Sequence, residues 1–430
     1  MLLKKKTKRR VCVVGLDGVP HSLLQDLLRR GIMPAAAGLF QRGSLQRMKA
    51  SLPEISAVSW SDFMTGTNSG QHGIFGFTDL KPGTYDLRFP NFLDLKAPPI
   101  WDRLGERKKR SVIINQPATY PARRLNGVLI SGFVAIDLAK AVYPLPQKAI
   151  LEELGYAIDV DTAKVREDPG FLWAELARTM ESRKKALDLY WKEDWDYFEF
   201  VITGTDRLHH FRWNAGEDEG HPEHLMFLDY YRKVDDLIGQ IAASFIKLTG
   251  GDQGLYFLSD HGFCGIRQEV YLNSWLEKEG FLSFAAAHPR GLEDISGEAA
   301  AFALDPNRIY LNLKGKFPRG SVNSGEAGRL KDDIRHKIEK LEYDGQKVVR
   351  RVFDAPEVYS GPLVPSGPDL IVLSEPGFDM KGSVKKKEVF GRSSFQGMHT
   401  WDDAFFWAAE EAGPNLAISD LSNIILRNYS

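Results

Sequence analysis

The stretch VCVVGLDGVPHSLLQDLL, residues 11–28, joins a short apolar run to a helical pattern. The run 11–16 ends in Asp17-Gly18, and four leucines then recur between residues 23 and 28 with helical spacing. A buried parallel strand that enters a crossover helix has this pattern. The stretch therefore predicts the first βα unit of an α/β fold.

Similar apolar runs recur further along the chain and predict more strands of the same sheet, at residues 111–115, 197–203 and 254–259. Long helical patterns separate them, which is typical of a parallel or mixed sheet flanked by helices. On such sheets ligands gather at the carboxyl ends of the strands. The residues directly after each run are therefore the first candidates for chemistry.

The pattern changes after Gly262, where short predicted elements alternate with turns rich in proline and glycine. We predict a catalytic core of residues 1–265 and 396–430, into which residues 266–395 are inserted as a smaller α+β cap. Within this insertion, residues 368–374 carry the run DLIVL and are expected to return to the core sheet.

The composition is that of an ordinary globular protein. The chain has 430 residues, of which 43% are hydrophobic and 26% charged, and its formal net charge is -1. This balance gives no global field that would attract nucleic acid, so bulk nucleic-acid binding is not expected. Cys12 and Cys264 lie far apart in apolar segments and are expected to be inert core thiols in a reduced compartment.

The basic start, residues 1–10, is followed by only six residues before Asp17, so we expect a solvated tail rather than a signal peptide. No stretch approaches the roughly 18 apolar residues that a membrane span requires. The sequence therefore predicts a cytoplasmic protein without a membrane span, and it leaves the oligomeric state open.

Asp206 and His210 stand four residues apart in TGTDRLHHFRW, directly after a predicted strand. On a helix this spacing lets both side chains hold one cation, although a helix cap and a surface histidine would look the same. His209 should point elsewhere and is expected to be structural. Asp17 alone is more typical of a turn or a helix cap.

Asp260 and His261 end another predicted strand, and Gly262 lets the chain turn at once. A carboxylate with an imidazole suits Zn²⁺, Mn²⁺ or iron. His399, in GMHTW near the end of the chain, has no carboxylate or second histidine next to it in the sequence. By itself it is more typical of a structural histidine.

The segment SLPEISAVSWSDFMTG, residues 51–66, supplies a candidate nucleophile. Ser56 precedes a helical pattern and is predicted to be the N-cap residue, with its hydroxyl at the positive end of the helix. Helix N-termini bind phosphate groups, and a metal ion would lower the pKa of such a hydroxyl. In isolation the segment is more typical of a plain capping serine.

Together these segments resemble the alkaline phosphatase superfamily, in particular its type I phosphodiesterase/nucleotide pyrophosphatase family and the soluble predicted phosphohydrolases related to it. The matching segments follow the family's order between residues 11 and 401 and read VVGLDG, SLPEISAVSWSDFMTG with HGIFGF after it, TDRLHHFRW, SDHGF and GMHTW. The resemblance covers nearly the whole chain and implies a three-layer α/β/α sandwich with an inserted cap.

The resemblance also implies two divalent metal ions, with Zn²⁺ as the first expectation and Mn²⁺ as the alternative. One ion would be held by Asp206, His210 and His399. The other would be held by Asp17, Asp260, His261 and the hydroxyl of Ser56. Ser56 would then be the nucleophile of a two-step reaction through a phosphoseryl intermediate.

Some residues depart from the family pattern. Nucleotide pyrophosphatases usually have threonine at the position of Ser56 and asparagine at that of Ser59, and we find no arginine that matches the phosphate clamp of alkaline phosphatases. Without that cation the two negative charges of a phosphate monoester are less well stabilised, which favours a phosphodiesterase. The alternatives are a phosphomonoesterase or a phosphotransferase similar to phosphoglycerate mutase, and a metal-stabilised binding protein without turnover.

The expected partner is a small phosphoester, with a nucleotide, a cyclic dinucleotide and a glycan or headgroup diester all open. Four residues are predicted to contact it, namely Ser59, Lys381, Arg392 and Trp401. The basic segment 381–392 is also consistent with a solvated face, and an aromatic residue at a strand end is more often part of a core.

Overall fold

A computed structural model describes residues 8–429. In chain order the strands are β1 Val11–Leu16, β2 Ser44–Met48, β3 Asp79–Leu80, β4 Leu87–Arg88, β5 Ser111–Gln116, β6 Gly127–Ser131, β7 Val142–Tyr143, β8 Tyr197–Ile202, β9 Leu255–Leu258, β10 Gly262–Gly265, β11 Gln268–Tyr271, β12 Ala301–Leu304, β13 Arg308–Leu311, β14 Glu342–Tyr343, β15 Gln346–Lys347, β16 Val349–Asp354, β17 Leu370–Ser374, β18 Phe378–Lys381, β19 Phe390–Gly391, β20 Gly397–Thr400 and β21 Ala404–Ala408.

The helices are α1 His21–Arg29, α2 Pro34–Phe40, α3 Ser56–Thr65, α4 Ser69–His72, α5 Ile100–Glu106, α6 Leu138–Ala141, α7 Gln147–Glu153, α8 Thr162–Glu167, α9 Phe171–Tyr190, α10 Gly204–Glu217, α11 His224–Thr249, α12 Leu272–Lys278, α13 Ala327–Ile338, α14 Ala355–Val358 and α15 Leu421–Leu426. Among residues 8–429, no helix combines the length and the apolar character needed to cross a membrane. Most of the predicted basic tail, at residues 1–7, lies outside the described residues.

The central sheet of the described chain has eight strands in the order β2-β21-β9-β1-β8-β5-β6-β7. Its middle is parallel, because β1 pairs in parallel with both β8 and β9, and β5 pairs in parallel with β8 and β6. The strands predicted from the runs 11–16, 111–115, 197–203 and 254–259 are all present in it. Their carboxyl ends therefore meet at one edge of the sheet, as the sequence predicts.

Both faces of this sheet are covered by helices. In β1, Cys12 and Val14 join an apolar cluster that includes residues of α1, α9 and α11, whereas Val11 and Val13 join a second cluster that includes Trp60 of α3. Successive side chains of a strand point to opposite faces, so the fully buried β1 serves both layers. The result is a three-layer α/β/α sandwich.

We call residues 266–395 the cap. Its main sheet has the order β12-β13-β17-β16, and a smaller one has the order β18-β11-β19. Residues 342–347 form the short hairpin β14-β15. Leu80 and Tyr85, which follow α4 in the chain, pack into the apolar cluster of the cap. The boundaries 1–265 and 396–430 for the core stay a prediction.

The prediction that residues 368–374 return to the core sheet is wrong. Strand β17 pairs antiparallel with β13 and β16 and so belongs to the cap sheet. Its five residues are all buried. A strand in the middle of the core sheet would show the same burial, so the apolar run alone does not say which sheet receives it.

The two cysteines are both free thiols, but their surroundings differ. Cys12 is fully buried in β1, as predicted, whereas Cys264 in β10 is only partly buried. Burial nevertheless raises the pKa of the Cys264 thiol to about 12. Because the thiolate is the nucleophilic form, neither cysteine is a reactive group near neutral pH.

Candidate active site

Four polar side chains follow three neighbouring parallel strands. Asp17 comes directly after β1, Asp206 lies in the first turn of α10 after β8, and Asp260 and His261 come after β9. Since β1 lies between β8 and β9, the carboxyl ends of these strands are adjacent. The fold therefore brings together residues that stand more than 240 positions apart in the sequence.

His399 reaches the same place from the far end of the chain. Strand β20 pairs antiparallel with β10, and this register sets His399 opposite Phe263. The pairing is close, because a Cβ at Gly262 would stand 2.4 Å from Thr400 Oγ1. A glycine at position 262 thus lets β20 approach the strand end that carries His261.

The first cluster consists of Asp206, His210 and His399. Asp206 Oδ1 lies 3.4 Å from His210 Nε2 and 3.2 Å from His399 Nε2, and the two Nε2 atoms are 3.1 Å apart. One oxygen and two ring nitrogens thus converge on a single point. This is a donor set that holds a divalent cation.

The second cluster consists of Asp17, Asp260 and His261, with Ser56 beside it. His261 Nε2 lies 3.3 Å from Asp260 Oδ2 and 3.7 Å from Asp17 Oδ1. Ser56 Oγ lies 3.1 Å from His261 Nε2 and 3.3 Å from Asp17 Oδ1. The two clusters are adjacent, because His261 Nε2 is 4.0 Å from Asp206 Oδ1.

Ser56 is the first residue of α3 and not its N-cap, which corrects the prediction by one position. The cap residue is Ile55, whose extended backbone has φ -128° and ψ 148°. Ile55 has no side-chain oxygen, so the start of this helix has no hydroxyl cap. The Ser56 hydroxyl instead lies beside Asp17 and His261.

The orientation of the histidine rings tests whether a cation fits. Each ring places Nδ1 against a backbone carbonyl, His210 on Gly397 at 3.1 Å, His399 on Glu54 at 2.8 Å and His261 on Gly262 at 3.0 Å. A carbonyl oxygen only accepts, so each Nδ1 carries the hydrogen and each ring turns its Nε2 to the clusters. The Nε2 atoms of His210 and His399, 3.1 Å apart, need either a metal ion or a shared proton between them, and although burial would lower the pKa of His399, the hydrogen bond to Asp206 raises it.

The buried carboxylates also favour bound cations at this place. Oδ2 of Asp260 is buried without a hydrogen-bond partner. Burial, together with the charge of Asp206, raises the pKa of Asp260 to about 6, and burial with the charges of Asp260 and Asp206 raises the pKa of Asp17 well above its usual range. Three buried carboxylates at one place are costly unless cations offset their charge.

Burial also lowers the pKa of His210 and of His261 to about 3, so both rings are neutral near pH 7. Burial would raise the pKa of Asp206, but the two histidines beside it and Arg207 hold it well below its usual range. Neutral imidazoles and an ionised carboxylate are the forms that bind metal ions. Oxygen and nitrogen donors in this combination suit Zn²⁺ or Mn²⁺.

Two residues that the sequence analysis did not single out hold the carboxylates in place. Arg207 donates to Asp206 Oδ2 at 3.2 Å and to Asp159 Oδ2 at 2.6 Å. Trp60 donates from Nε1 to Asp17 Oδ2 at 3.1 Å. The position of Trp60 near the site could have been predicted, because it stands one helical turn after Ser56. Nothing in the sequence indicates the role of Asp159.

The structure places the remaining predicted residues as follows. His209 binds the carbonyl of Gly18 at 2.9 Å and the hydroxyl of Tyr231 at 2.7 Å, outside both clusters. Ser59 is fully buried, and its hydroxyl accepts a hydrogen bond from the backbone of Ser51. Substrate contact by Ser59 stays a prediction.

The predicted contacts on the cap side differ among themselves. Arg392 is exposed and donates to the carbonyl of Arg267, so the structure does not bring it to the clusters. Trp401 packs on Phe353 of the cap. Lys381 pairs with Asp379 at 2.6 Å, and its charge adds to the burial that lowers the pKa of His210. Substrate contact by Lys381 and Trp401 stays a prediction.

Several solved structures share this fold. Phosphonoacetate hydrolase from Sinorhizobium meliloti 1021 in complex with phosphonoformate has a TM-score of 0.66 at 14% identity, over 99% of this chain and 96% of that chain. The same enzyme with phosphonoacetate gives 0.65 at 15% identity, with the same coverage. Inactive murine ectonucleotide pyrophosphatase/phosphodiesterase 5 in complex with AMP gives 0.54 at 12% identity, over 98% and 94% of the two chains. These likenesses confirm the alkaline-phosphatase-like fold.

In sequence, no curated protein matches the chain significantly. The family model of type I phosphodiesterase/nucleotide pyrophosphatase, in contrast, matches residues 11–402. This span contains both clusters and Ser56. The chain therefore belongs to the type I phosphodiesterase/nucleotide pyrophosphatase family of phosphoric ester hydrolases.

Proposed function

We propose that this protein is a two-metal phosphodiesterase in which Ser56 is the nucleophile. One observation carries the proposal, namely that the Ser56 hydroxyl lies 3.1 Å from His261 and 3.3 Å from Asp17, on the edge of a donor cluster that adjoins a second one. A hydroxyl beside two cation sites suits in-line displacement at phosphorus.

The family is metal-dependent, and the two donor clusters are the places for divalent ions. Asp206, His210 and His399 would hold one ion, and Asp17, Asp260, His261 and Ser56 would hold the other. When bound, the ions would offset the negative charge of the phosphoryl oxygens and lower the pKa of the serine hydroxyl and of a water molecule. Zn²⁺ is our first assignment, because two of the three donors of the first cluster are imidazole nitrogens, and Mn²⁺ is the alternative.

The protein's own residues set the course of the reaction. Asp17 Oδ1 accepts the hydrogen bond of Ser56 and so holds the proton that the hydroxyl must lose. Ser56 Oγ then forms a bond to phosphorus while the bond to the leaving oxygen breaks, and the leaving alcohol takes up a proton. The oxygen of a water molecule next bonds to phosphorus while the bond to Ser56 Oγ breaks, one proton of that water restores the Ser56 hydroxyl, and the phosphate monoester product departs.

Arg207 supports a diester over a monoester. Its guanidinium is buried and bound to both Asp206 and Asp159, so it is not free to bind the additional charge of a monoester dianion. A diester carries one negative charge fewer. The substrate class we propose is a small phosphodiester, with nucleotides, cyclic dinucleotides and headgroup diesters as the compounds to compare.

The test compares hydrolysis of bis(p-nitrophenyl) phosphate with that of p-nitrophenyl phosphate, with Zn²⁺ or Mn²⁺ restored. Phosphonoacetate belongs in the same panel, because a protein of the same fold was solved with it. We expect a higher kcat/KM for the diester. Ser56→Ala should lower kcat by roughly 10³-fold or more, because it removes the nucleophile.

Ser61→Ala is the matched control, since Ser61 lies on the same helix and its hydroxyl donates to the carbonyl of Ala57. It should retain activity within a few-fold. Preference for the monoester would favour the phosphomonoesterase or phosphotransferase alternative instead. An active Ser56→Ala variant would refute the serine nucleophile, and a protein that holds two ions but turns over nothing would be a binding protein.

A further inference from the structure

A cavity of about 280 Å³ lies where the segment after α4 meets the cap. The hairpin β3-β4 and Lys96 form its core-side wall, and residues 310–317 and 363–366 form the opposite wall. It is lined by none of the seven residues of the two metal clusters. The cavity is therefore separate from the proposed catalytic centre.

Buried aromatic rings form the floor of this cavity. Phe75, Tyr310 and Phe317 line it and are all buried. Phe317 stacks on Tyr85 with an angle of 14° between the rings, and Phe75 meets Tyr359 edge to face. Rings that are fixed by their neighbours form a rigid base for the more exposed apolar residues of the lining, Leu363 and Pro365, so the apolar surface is preformed.

Lys316 is a half-buried cation above this floor. Its Nζ lies 5.6 Å from the ring centre of Tyr310 and 5.5 Å from that of Phe317, and it donates to the carbonyl of Gly367 at 3.2 Å. Among residues 8–429, no carboxylate lies within 4 Å of it. Burial lowers the pKa of Lys316, and the more distant Asp369 and Asp79 reverse this only in part.

A second cation stands behind the floor. Arg308 is fully buried, and it donates to the Tyr310 hydroxyl at 3.3 Å and to the carbonyls of Thr78 and Asp305. Its Nε has no hydrogen-bond partner, and in the described chain it forms no ion pair with a carboxylate. A buried guanidinium that is not offset in this way creates a positive potential beside Tyr310.

The rim adds to this excess of positive charge. Lys96 is exposed at the mouth, and within residues 8–429 it has no carboxylate within 4 Å. Arg88 is bound to Asp79 at 3.3 Å and to Asp94 at 3.0 Å, so the acidic residues of the lining are already engaged. Lys81, the third lysine of the lining, lies 3.5 Å from Asp86, so Lys316 and Lys96 are the lysines left for an anion from outside.

We propose that this cavity binds a small organic dianion with a planar apolar part, of the aryl phosphate or phosphonate class. The dianion pairs with Lys316 and Lys96, and the planar part lies against Phe317, the most exposed of the three rings, and against Leu363 and Pro365. The size of the cavity is below the range of about 300–1,000 Å³ that is typical of drug-sized ligands, which limits the ligand to roughly one ring and its anionic group.

Phenylphosphonate is the probe, because it has this shape and cannot be hydrolysed as an ester. Hydrogen exchange of the metal-loaded protein separates the two places where it can bind. We expect slower exchange in residues 79–96 and 313–317, in addition to any change around Ser56. Lys316→Met should weaken this binding at least tenfold, as titrated by the exchange of those segments.

Lys314→Met is the matched control, since Lys314 is exposed on the same loop and donates to Asn323. It should bind phenylphosphonate as the natural protein does. Lys96→Met, at an exposed position that does not affect folding, should weaken binding several-fold. Protection confined to the segments around Ser56, or equal binding by Lys316→Met and Lys314→Met, would overturn the proposal, as would equal affinity for inorganic phosphate, which has no ring to place on the floor.

Discussion

Glu199 shows how one buried residue can set the response of the whole protein to pH. It lies in the middle of β8 and is fully buried. The Tyr197 hydroxyl donates to one of its oxygens at 2.5 Å, and the other oxygen has no partner. Burial outweighs the hydrogen bond and raises the pKa of Glu199 to about 8. The carboxyl is therefore protonated in the folded protein near pH 7.

The sign of its effect on stability follows from this shift. The unfolded chain releases the Glu199 proton near its ordinary pKa of 4.5, whereas the folded protein keeps it until about 8. The stabilisation is complete below pH 4.5 and is lost as the pH rises through 8. Relative to Glu199→Gln, the free energy of unfolding should fall by about 1.4 kcal/mol for each pH unit between pH 5 and pH 8. Urea unfolding of both proteins at several pH values measures it, and parallel curves would contradict the prediction.

At the same scale, the residue types of the site were predictable. A carboxylate follows each of β1, β8 and β9, and an imidazole follows β8 and β9. These groups hold divalent ions, and the structure brings Asp206, His210 and His399 to one point. The sequence did not indicate that Arg207 binds Asp206. Arg207 is held in position by Asp159, which lies in a separate loop before α8. Long-range contacts of this kind leave no local pattern.

At the scale of the elements, the contact between β1 and α3 positions the nucleophile. A Cβ at Gly15 would stand 2.4 Å from Trp60 Cη2 and 3.2 Å from Trp60 Cζ2. The same Trp60 donates to Asp17, one residue past the end of β1, and it lies one turn after Ser56. The glycine thus lets the helix lie close enough to the strand for Ser56 and Asp17 to meet.

Gly15→Ala should therefore lower both activity and stability. The added methyl displaces Trp60 from a closely packed interface, which costs roughly 1–3 kcal/mol and moves Ser56 away from Asp17. We expect kcat on the diester to fall by at least about tenfold, since a displacement of the nucleophile by about 1 Å can cost far more. Unfolding curves and diester assays measure the two effects.

Gly38→Ala is the matched control for this variant. Gly38 lies inside α2, where an added Cβ meets nothing within 4 Å. Alanine is the better helix former, so the variant should gain about 0.5–1 kcal/mol in stability and retain full activity. A Gly15→Ala protein that behaves like Gly38→Ala would show that the close approach does not position Ser56.

The positions of strands were predictable where the apolar runs were long. The strands with which they pair were not predictable. The runs that became β1, β5, β8 and β9 read as buried strands, and they are adjacent in the core sheet. The run DLIVL read in the same way, yet β17 joins β13 and β16 in the cap. Hydrophobicity reports that a strand is buried but not which strands pair with it.

At the scale of the whole molecule, the fold concentrates acidic groups that its own cations do not offset. The net charge of the chain is only -1, yet three carboxylates meet at one edge of the core sheet. Arg207 pairs with one of them, Asp206. The pKa of Asp17 and the pKa of Asp260 are both raised, first of all by burial. The metal-free protein therefore holds protons that a bound cation would replace.

This predicts how metal removal and pH act together. In the chelated protein, the stabilisation by the protonated Asp260 is complete below about pH 3.8 and is lost as the pH rises through about 6. Metal ions bind the deprotonated ligands, so their stabilising effect grows over the same range. Adding Zn²⁺ to the chelated protein should raise the Tm by several degrees at pH 8 and by less than half as much at pH 5.5.

Asp260→Asn separates this effect from other sources of pH dependence. The amide cannot ionise, so the chelated variant should lose less stability than the chelated natural protein between pH 5.5 and pH 8. The same change removes a charged donor from the second cluster, and most of the Tm gain with Zn²⁺ should disappear. Thermal unfolding of both proteins, with and without the ion, measures these differences. An equal gain at both pH values, or an undiminished gain in Asp260→Asn, would mean that the ion stabilises the protein elsewhere than at the carboxyl ends of β1, β8 and β9.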